Sequence, residues 1–149
     1  MIKLSFKSDS ELQKYLIDNN LNDTIMFTGP TYVRAVIGIT TDNRLVYDYD
    51  KMVETLADDY RSFGGYKNPV EEAIEWIDTN IYYVGPMSPI VVYPKPIEGL
   101  DDYLGIDGLD EELIPIEDAI IGISYNDDVL IDSEMSENFK SFFKEVMFI

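Results

Sequence analysis

A chain of 149 residues with 46% hydrophobic and 13% aromatic content is the size of one domain and has enough apolar surface to bury a core. Eleven Lys and Arg against 29 Asp and Glu leave a net charge of -18, which argues against direct binding to a phosphate backbone, since that requires clustered cations. The absence of Cys removes disulfides, thiolate nucleophiles and Cys-ligated zinc, and the absence of His removes imidazole bases and ligands. No apolar run approaches the roughly 18–20 residues of a bilayer span, and Met1 to Lys7 does not read as a signal peptide. The expectation is a cytoplasmic protein without membrane contact.

From the N-terminus, Ile2, Leu4 and Phe6 alternate with Lys3, Ser5 and Lys7, the period of a half-buried strand. Ser8 followed by Glu11 matches a capping box, and Leu12, Tyr15 and Leu16 then form one helical face that ends near Asn19-Asn20. Thr24 to Phe27 reads as a short strand stopped by Gly29-Pro30. Val33 to Thr40 and Arg44 to Asp48 flank Thr41-Asp42-Asn43 and predict a hairpin. A helix is predicted from about Lys51 to Tyr60, with Met52, Leu56 and Tyr60 on one side, broken by Gly64-Gly65. Asn68-Pro69-Val70-Glu71 supplies an N-cap, a first-turn proline and an acid at N3, after which Val70, Ala73, Ile74, Ile77 and Ile81 recur at helical spacing. Pro89 to Tyr93 reads as a buried strand, and Pro94-Lys95-Pro96 as a bend within one domain.

The last third is the acidic part. Residues 1–95 carry 14 acids and 9 bases, whereas residues 96–149 carry 15 acids and 2 bases, and the 44 residues between Lys95 and Lys140 contain no base. Within this part Ala119 to Asp132 echoes Ala35 to Asp48 at a constant offset of 84 residues with five identities. Both copies read as strand, polar turn and strand followed by a helix, the second helix carrying Met135, Phe139, Phe142, Phe143 and Val146. Convergence of two hairpins and an ancient hairpin–helix duplication both account for the echo; duplication would favour pseudo-twofold packing of the halves. The predicted fold is a single α+β domain over residues 1–149, with the acidic segment 96–139 inside it. Its sheet is largely antiparallel, and its helices lie mainly on one face. The predicted core comprises Leu4, Phe6, Leu16, Ile37, Ile39, Val46, Leu56, Ile74, Ile77, Val91, Ile121, Ile123, Phe139 and Phe143.

Carboxylate catalysis has no distinguishing signal, because 29 acids always contain some suitable pair. Asp101 to Glu112 has oxygen ligands and glycines for a divalent cation but fails the EF-hand spacing, and Asn126-Asp127-Asp128 reads as a turn. Gly64-Gly65 lacks the Gly-Lys-Ser/Thr of a phosphate loop. No enzyme activity and no cofactor are therefore expected. Trp76, Tyr82, Tyr83 and Tyr93 suggest core with an amphipathic edge, or alternatively a small-ligand groove or a partner contact. Glu71, Glu72, Glu75 and Asp78 share one region of a helix without a Lys or Arg, and Glu54, Asp58 and Asp59 repeat this on the preceding helix. Like charges at i,i+4 oppose helix formation, and a chain needing only solubility would mix signs. The candidate surface for a basic partner is Glu71, Glu75 and Asp78, together with Asp101, Asp102, Asp107, Asp110, Glu111 and Glu112. A surface of about 7,700 Å² holds about one net charge per 430 Å², well below the one per roughly 100 Å² of a DNA duplex. Segment 96–139 would reach about one per 160 Å² over its share of that area, so only one face can imitate nucleic acid.

At Val46-Tyr47-Asp48-Tyr49-Asp50-Lys51-Met52 and Glu72-Ala73-Ile74-Glu75-Trp76-Ile77-Asp78-Thr79-Asn80, with Pro89-Ile90-Val91 behind, the chain resembles small proteins encoded by phages and prophages of low-GC Gram-positive bacteria. The resemblance spans Val33 to Tyr93. It departs at Tyr82-Tyr83-Val84-Gly85-Pro86, where a segment with Arg and Leu-Pro-Tyr is more typical. The resemblance implies a mobile-element context, in which small acidic, non-enzymatic inhibitors of host defence nucleases are a reasonable class by analogy. The leading expectation is a protein that presents an acidic face to a basic, nucleic-acid-binding partner.

Overall fold

A computed structural model describes residues 2–27, 30–81, 88–94, 120–124, 129–132 and 147–148. Along the chain these form β1 (Ile2–Lys3), α1 (Asp9–Asp18), α2 (Pro30–Val33), β2 (Val36–Ile39), β3 (Leu45–Asp48), α3 (Tyr49–Phe63) and α4 (Pro69–Asn80). They are followed by β4 (Ile90–Pro94), β5 (Ile120–Ser124), β6 (Val129–Ile131) and β7 (Met147–Phe148). The strands make one sheet in sequence order. Four neighbouring pairs are antiparallel, while β3–β4 and β6–β7 are parallel. The fold is α+β with a largely antiparallel sheet, as the two predicted hairpins imply.

Local chemistry explains most element boundaries. Ser8 accepts from the Glu11 amide at 3.3 Å, and the Glu11 carboxylate accepts from the Lys7 amide at 2.9 Å, so the box closes one residue further back than its usual form. The Thr40 hydroxyl donates to Asp42 and accepts from the Arg44 amide at 2.9 Å, while Asn43 takes φ 64°, which tightens the β2–β3 turn. Asp48 caps α3 by accepting from the Lys51 amide at 3.1 Å. That helix therefore begins at Tyr49 and runs to Phe63, longer at both ends than its apolar spacing indicates. Gly64 ends it with φ 75° and ψ 173°, a region essentially reserved for glycine.

Four expectations are corrected. β1 stops at Lys3, although the Leu4 amide still donates to the Ile37 carbonyl at 3.0 Å, and Leu4 and Phe6 are only partly buried. Residues 24–27 form no strand. Both edges of β2 are occupied by β1 and β3, and the Phe27 amide donates instead to the buried Tyr47 hydroxyl at 3.0 Å. Val33 belongs to the short helix α2 rather than to the hairpin. Asn68 precedes α4 but makes no side-chain cap bond, so the proline and the Glu72 amide bond to the Asn68 carbonyl open that helix.

Leu45 and Tyr47 point to one face of the sheet and Val46 to the other, as strand periodicity requires. The first face, with Ile39 and Val91, packs against Leu12, Leu16, Met52, Leu56, Ala57, Ala73 and Ile77 from the helices. The opposite face clusters Val46, Ile90, Val92 and Leu130, with Ile37 and Ile121 partly buried against them. β4 is consequently buried on both faces, which its continuous apolar run anticipated. Ile74 is a correction to the predicted core: it is 37% exposed, and Val70 is also exposed. The small Ala73 lets α4 settle against α3 along Ala73 and Ile77, which leaves the neighbouring flank on the rim. Phe139 and Phe143 lie outside the described residues.

The sequence echo is an echo of pairing. Val36, Gly38 and Ile39 face Tyr47, Val46 and Leu45, while Ile120, Gly122 and Ile123 face Ile131, Leu130 and Val129. Both hairpins shift register before the glycine. Val46 then pairs in parallel with Ile90 and Leu130 with Met147, so each hairpin is followed by a parallel strand. Shared register, shared irregularity and shared next strand favour duplication over convergence. The two hairpins run in the same direction across the sheet, each followed in sheet order by its parallel strand. The predicted helix over Met135 to Val146 lies outside the described residues.

Candidate functional site

At 100° per residue, Glu71, Glu75 and Asp78 fall within about 60° of arc on α4, roughly opposite the Ala73–Ile77 line that faces the core. All three are exposed, and neither Glu71 nor Glu75 has a basic partner among the described residues. The preceding helix differs. Asp58 pairs with Arg61 at 2.7 Å and Asp59 with Arg34 at 3.4 Å, so the predicted base-free acidic face of α3 is corrected. Arg34 reaches Asp59 from the α2–β2 junction, a contact that helical spacing cannot reveal. Each of these exposed pairs contributes at most about 1 kcal/mol, and among the described residues no such pair forms on Glu71, Glu72 or Glu75.

Asp78 is more than a surface charge. Its Oδ1 accepts from the Tyr49 hydroxyl at 2.8 Å, and the Tyr49 ring lies against Tyr93 with centroids 4.6 Å apart. Burial first, then the Asp78 hydrogen bond and charge, raises the Tyr49 phenol far above its ordinary range and keeps it neutral.

Trp76 stands on the other flank of α4, and its Nε1 donates to the Tyr32 hydroxyl at 3.1 Å. Tyr60 stacks on Tyr66 at 4.4 Å with the planes 24° apart. Burial raises both the Tyr32 and Tyr60 phenols, and Tyr66, Tyr32 and Glu72 reinforce the effect at Tyr60. Sequence reasoning missed Tyr32, Tyr49 and Tyr66, while Tyr60, placed on the side of α3 with Met52 and Leu56, is partly buried against that core. Tyr32 and Tyr66 come from a short helix and a connector, where no periodicity identifies a neighbour.

Asp101, Asp102, Asp107, Asp110, Glu111, Glu112, Tyr82 and Tyr83 lie outside the described residues. Among the described residues no group of three or more carboxylates is placed to hold a metal ion, and no helix is long and apolar enough to cross a membrane. The chain matches no protein-family model, no curated protein and no solved structure.

Proposed function

We propose that the protein is a non-enzymatic interaction protein that presents the carboxylates of α4 to a basic, nucleic-acid-binding partner in the cytoplasm. The observation that carries this reading is the contrast between neighbouring helices: the arginines are spent on Asp58 and Asp59, while Glu71 and Glu75 stay exposed without a base among the described residues. Glu71, Glu75 and Asp78 place three charges over about 10.5 Å of helix axis, or about one per 5 Å, and Glu72 adds a fourth on the neighbouring flank. One DNA strand carries one phosphate per 3.4 Å and the duplex one per roughly 1.7 Å, so the row reaches about two thirds of a single strand's axial density and about one third of the duplex's. The resemblance of residues 33–93 to phage and prophage proteins makes a host defence nuclease a fitting partner, with this protein as its inhibitor. The acids from Asp101 to Glu112 are proposed as a second part of the surface.

Affinity capture from the native host, read by mass spectrometry across a salt series, tests the reading. A basic partner should be lost as salt screens the contact, and from the Glu71→Lys/Glu75→Lys double variant at any salt. Reversal of Asp110, Glu111 and Glu112 tests the second part separately. Capture that survives high salt and both reversals would sink the proposal.

A further inference from the structure

Exposed aromatic side chains ordinarily keep their rotamer freedom, but Trp76 on the flank of α4 and Tyr66 after α3 are held, and they are linked through Tyr60, which stacks on Tyr66 and whose phenol feels both Tyr32 and Glu72. Trp76 remains 50% exposed while its indole N–H is fixed on Tyr32, and Tyr66 remains 43% exposed while its ring is stacked on Tyr60. Little ordering is left to lose when a partner covers them. Glu72 lies one turn before Trp76 on the same flank, and helical side chains lean toward the N-terminus, so the indole sits over the turn that carries this carboxylate. Glu75 adjoins the same flank from the outward row. A held ring face beside carboxylates, in a chain of net charge -18, fits a planar cation. A guanidinium stacks on the ring while its fork of donors pairs with a carboxylate, whereas an ammonium acts mainly as a point charge.

We infer that Trp76 and Tyr66, with Glu72 and Glu75, form a receiving surface for arginine side chains of the basic protein partner. The inference rests on the acidic-interaction reading and adds a chemical preference to it. The carboxylate row attracts Arg and Lys alike, and the aromatic flank discriminates between them.

Fluorescein-labelled nona-arginine and nona-lysine peptides, titrated against the full chain and read by anisotropy, supply the test. Trp76 is the sole tryptophan, so its intrinsic emission reports contact at the site directly with unlabelled peptide. Nona-arginine should bind about five-fold more tightly than nona-lysine and change the Trp76 emission, in line with a cation–π contribution of about 1 kcal/mol. Trp76→Ala and, independently, Tyr66→Ala should each narrow the gap between the two peptides, and the double variant should close it. Equal affinities with unaltered Trp76 emission would overturn this inference and leave the acid-row reading standing. An Arg preference that is undiminished in the double variant would also overturn it. Binding that ignores Glu71→Lys/Glu75→Lys would overturn the acid-row reading instead, and failure of both peptides to bind at low salt would overturn both.

Discussion

The Tyr49 hydroxyl donates to Oδ1 of Asp78 across 2.8 Å, tying the first residue of α3 to the last turn of α4. Three carboxylates that look equivalent on a helical wheel are therefore unequal. Asp78 holds two helices together, whereas Glu71 and Glu75 only face outward. Asp78→Lys is expected to cost about 1 kcal/mol or more, because it removes a charge-assisted hydrogen bond. Glu75→Lys should lie within about 0.5 kcal/mol of the parent or be slightly stabilising, since it turns an i,i+4 repulsion with Glu71 into an attraction. Urea denaturation of the two variants makes the comparison. Equal losses would give Glu75 a structural role too.

Stability should depend on alkaline pH through Tyr47. Burial, partly offset by the bond from the Phe27 amide and reinforced by the charge of Asp9, pushes its phenol up to about 12. A raised phenol means that the neutral form is favoured in the fold, so this contribution is complete below pH 10 and is lost as pH rises through 12. Two units correspond to about 2.7 kcal/mol at most. Unfolding free energy should be level from about pH 7 to 9 and fall above 10, with Tyr32, Tyr49 and Tyr60 shifted in the same direction. Tyr47→Phe should lower stability at neutral pH by about 1 kcal/mol, because the Phe27 amide loses its acceptor, and should flatten the alkaline slope. An unchanged slope would contradict the assignment.

Gly64→Ala isolates a backbone effect. A Cβ at Gly64 would meet nothing within 4 Å, so the cost comes entirely from φ 75° and ψ 173°. A loss of about 1–3 kcal/mol is expected in thermal or urea melts. A loss below about 0.5 kcal/mol would mean that the connector relaxes freely.

Elements whose signals are local were legible in the sequence. The capping box at Ser8 and Glu11, the turn at Thr41-Asp42-Asn43 and the stop at Gly64-Gly65 depend on residues a few positions apart, and each appears where the sequence places it. The apolar run at β4 and the 84-residue echo were equally readable, although the pairing register behind the echo was not. Failures came where a distant partner decides. Thr24 to Phe27 has strand composition, but no sheet edge beside β2 is free to receive it. Ile74 has core spacing, but Ala73 decides which line of α4 meets α3. In the candidate surface, the α4 row was readable from spacing, whereas the Arg34–Asp59 pair and the Tyr32–Trp76 bond span 25 and 44 residues and carry no periodic signal.

The continuous sheet predicts one cooperative unit. Leu130 is fully buried beside Val46 from the first hairpin, so Leu130→Ala should cost about 2–5 kcal/mol. Far-ultraviolet dichroism and Trp76 emission should shift together, although Trp76 lies on the helix side. Separate transitions would show that the two hairpin units fold independently.

The claim that the α4 carboxylates hold a basic partner is tested most directly by calorimetric titration of the captured partner at two salt concentrations, about 50 and 300 mM, against parent and Glu71→Lys/Glu75→Lys chains. The parent should bind much more weakly at the higher salt, and the double reversal should abolish binding at both while its unfolding free energy stays within about 1 kcal/mol of the parent's. Equal affinity at the two salts, or full binding by the reversed chain, would contradict the claim.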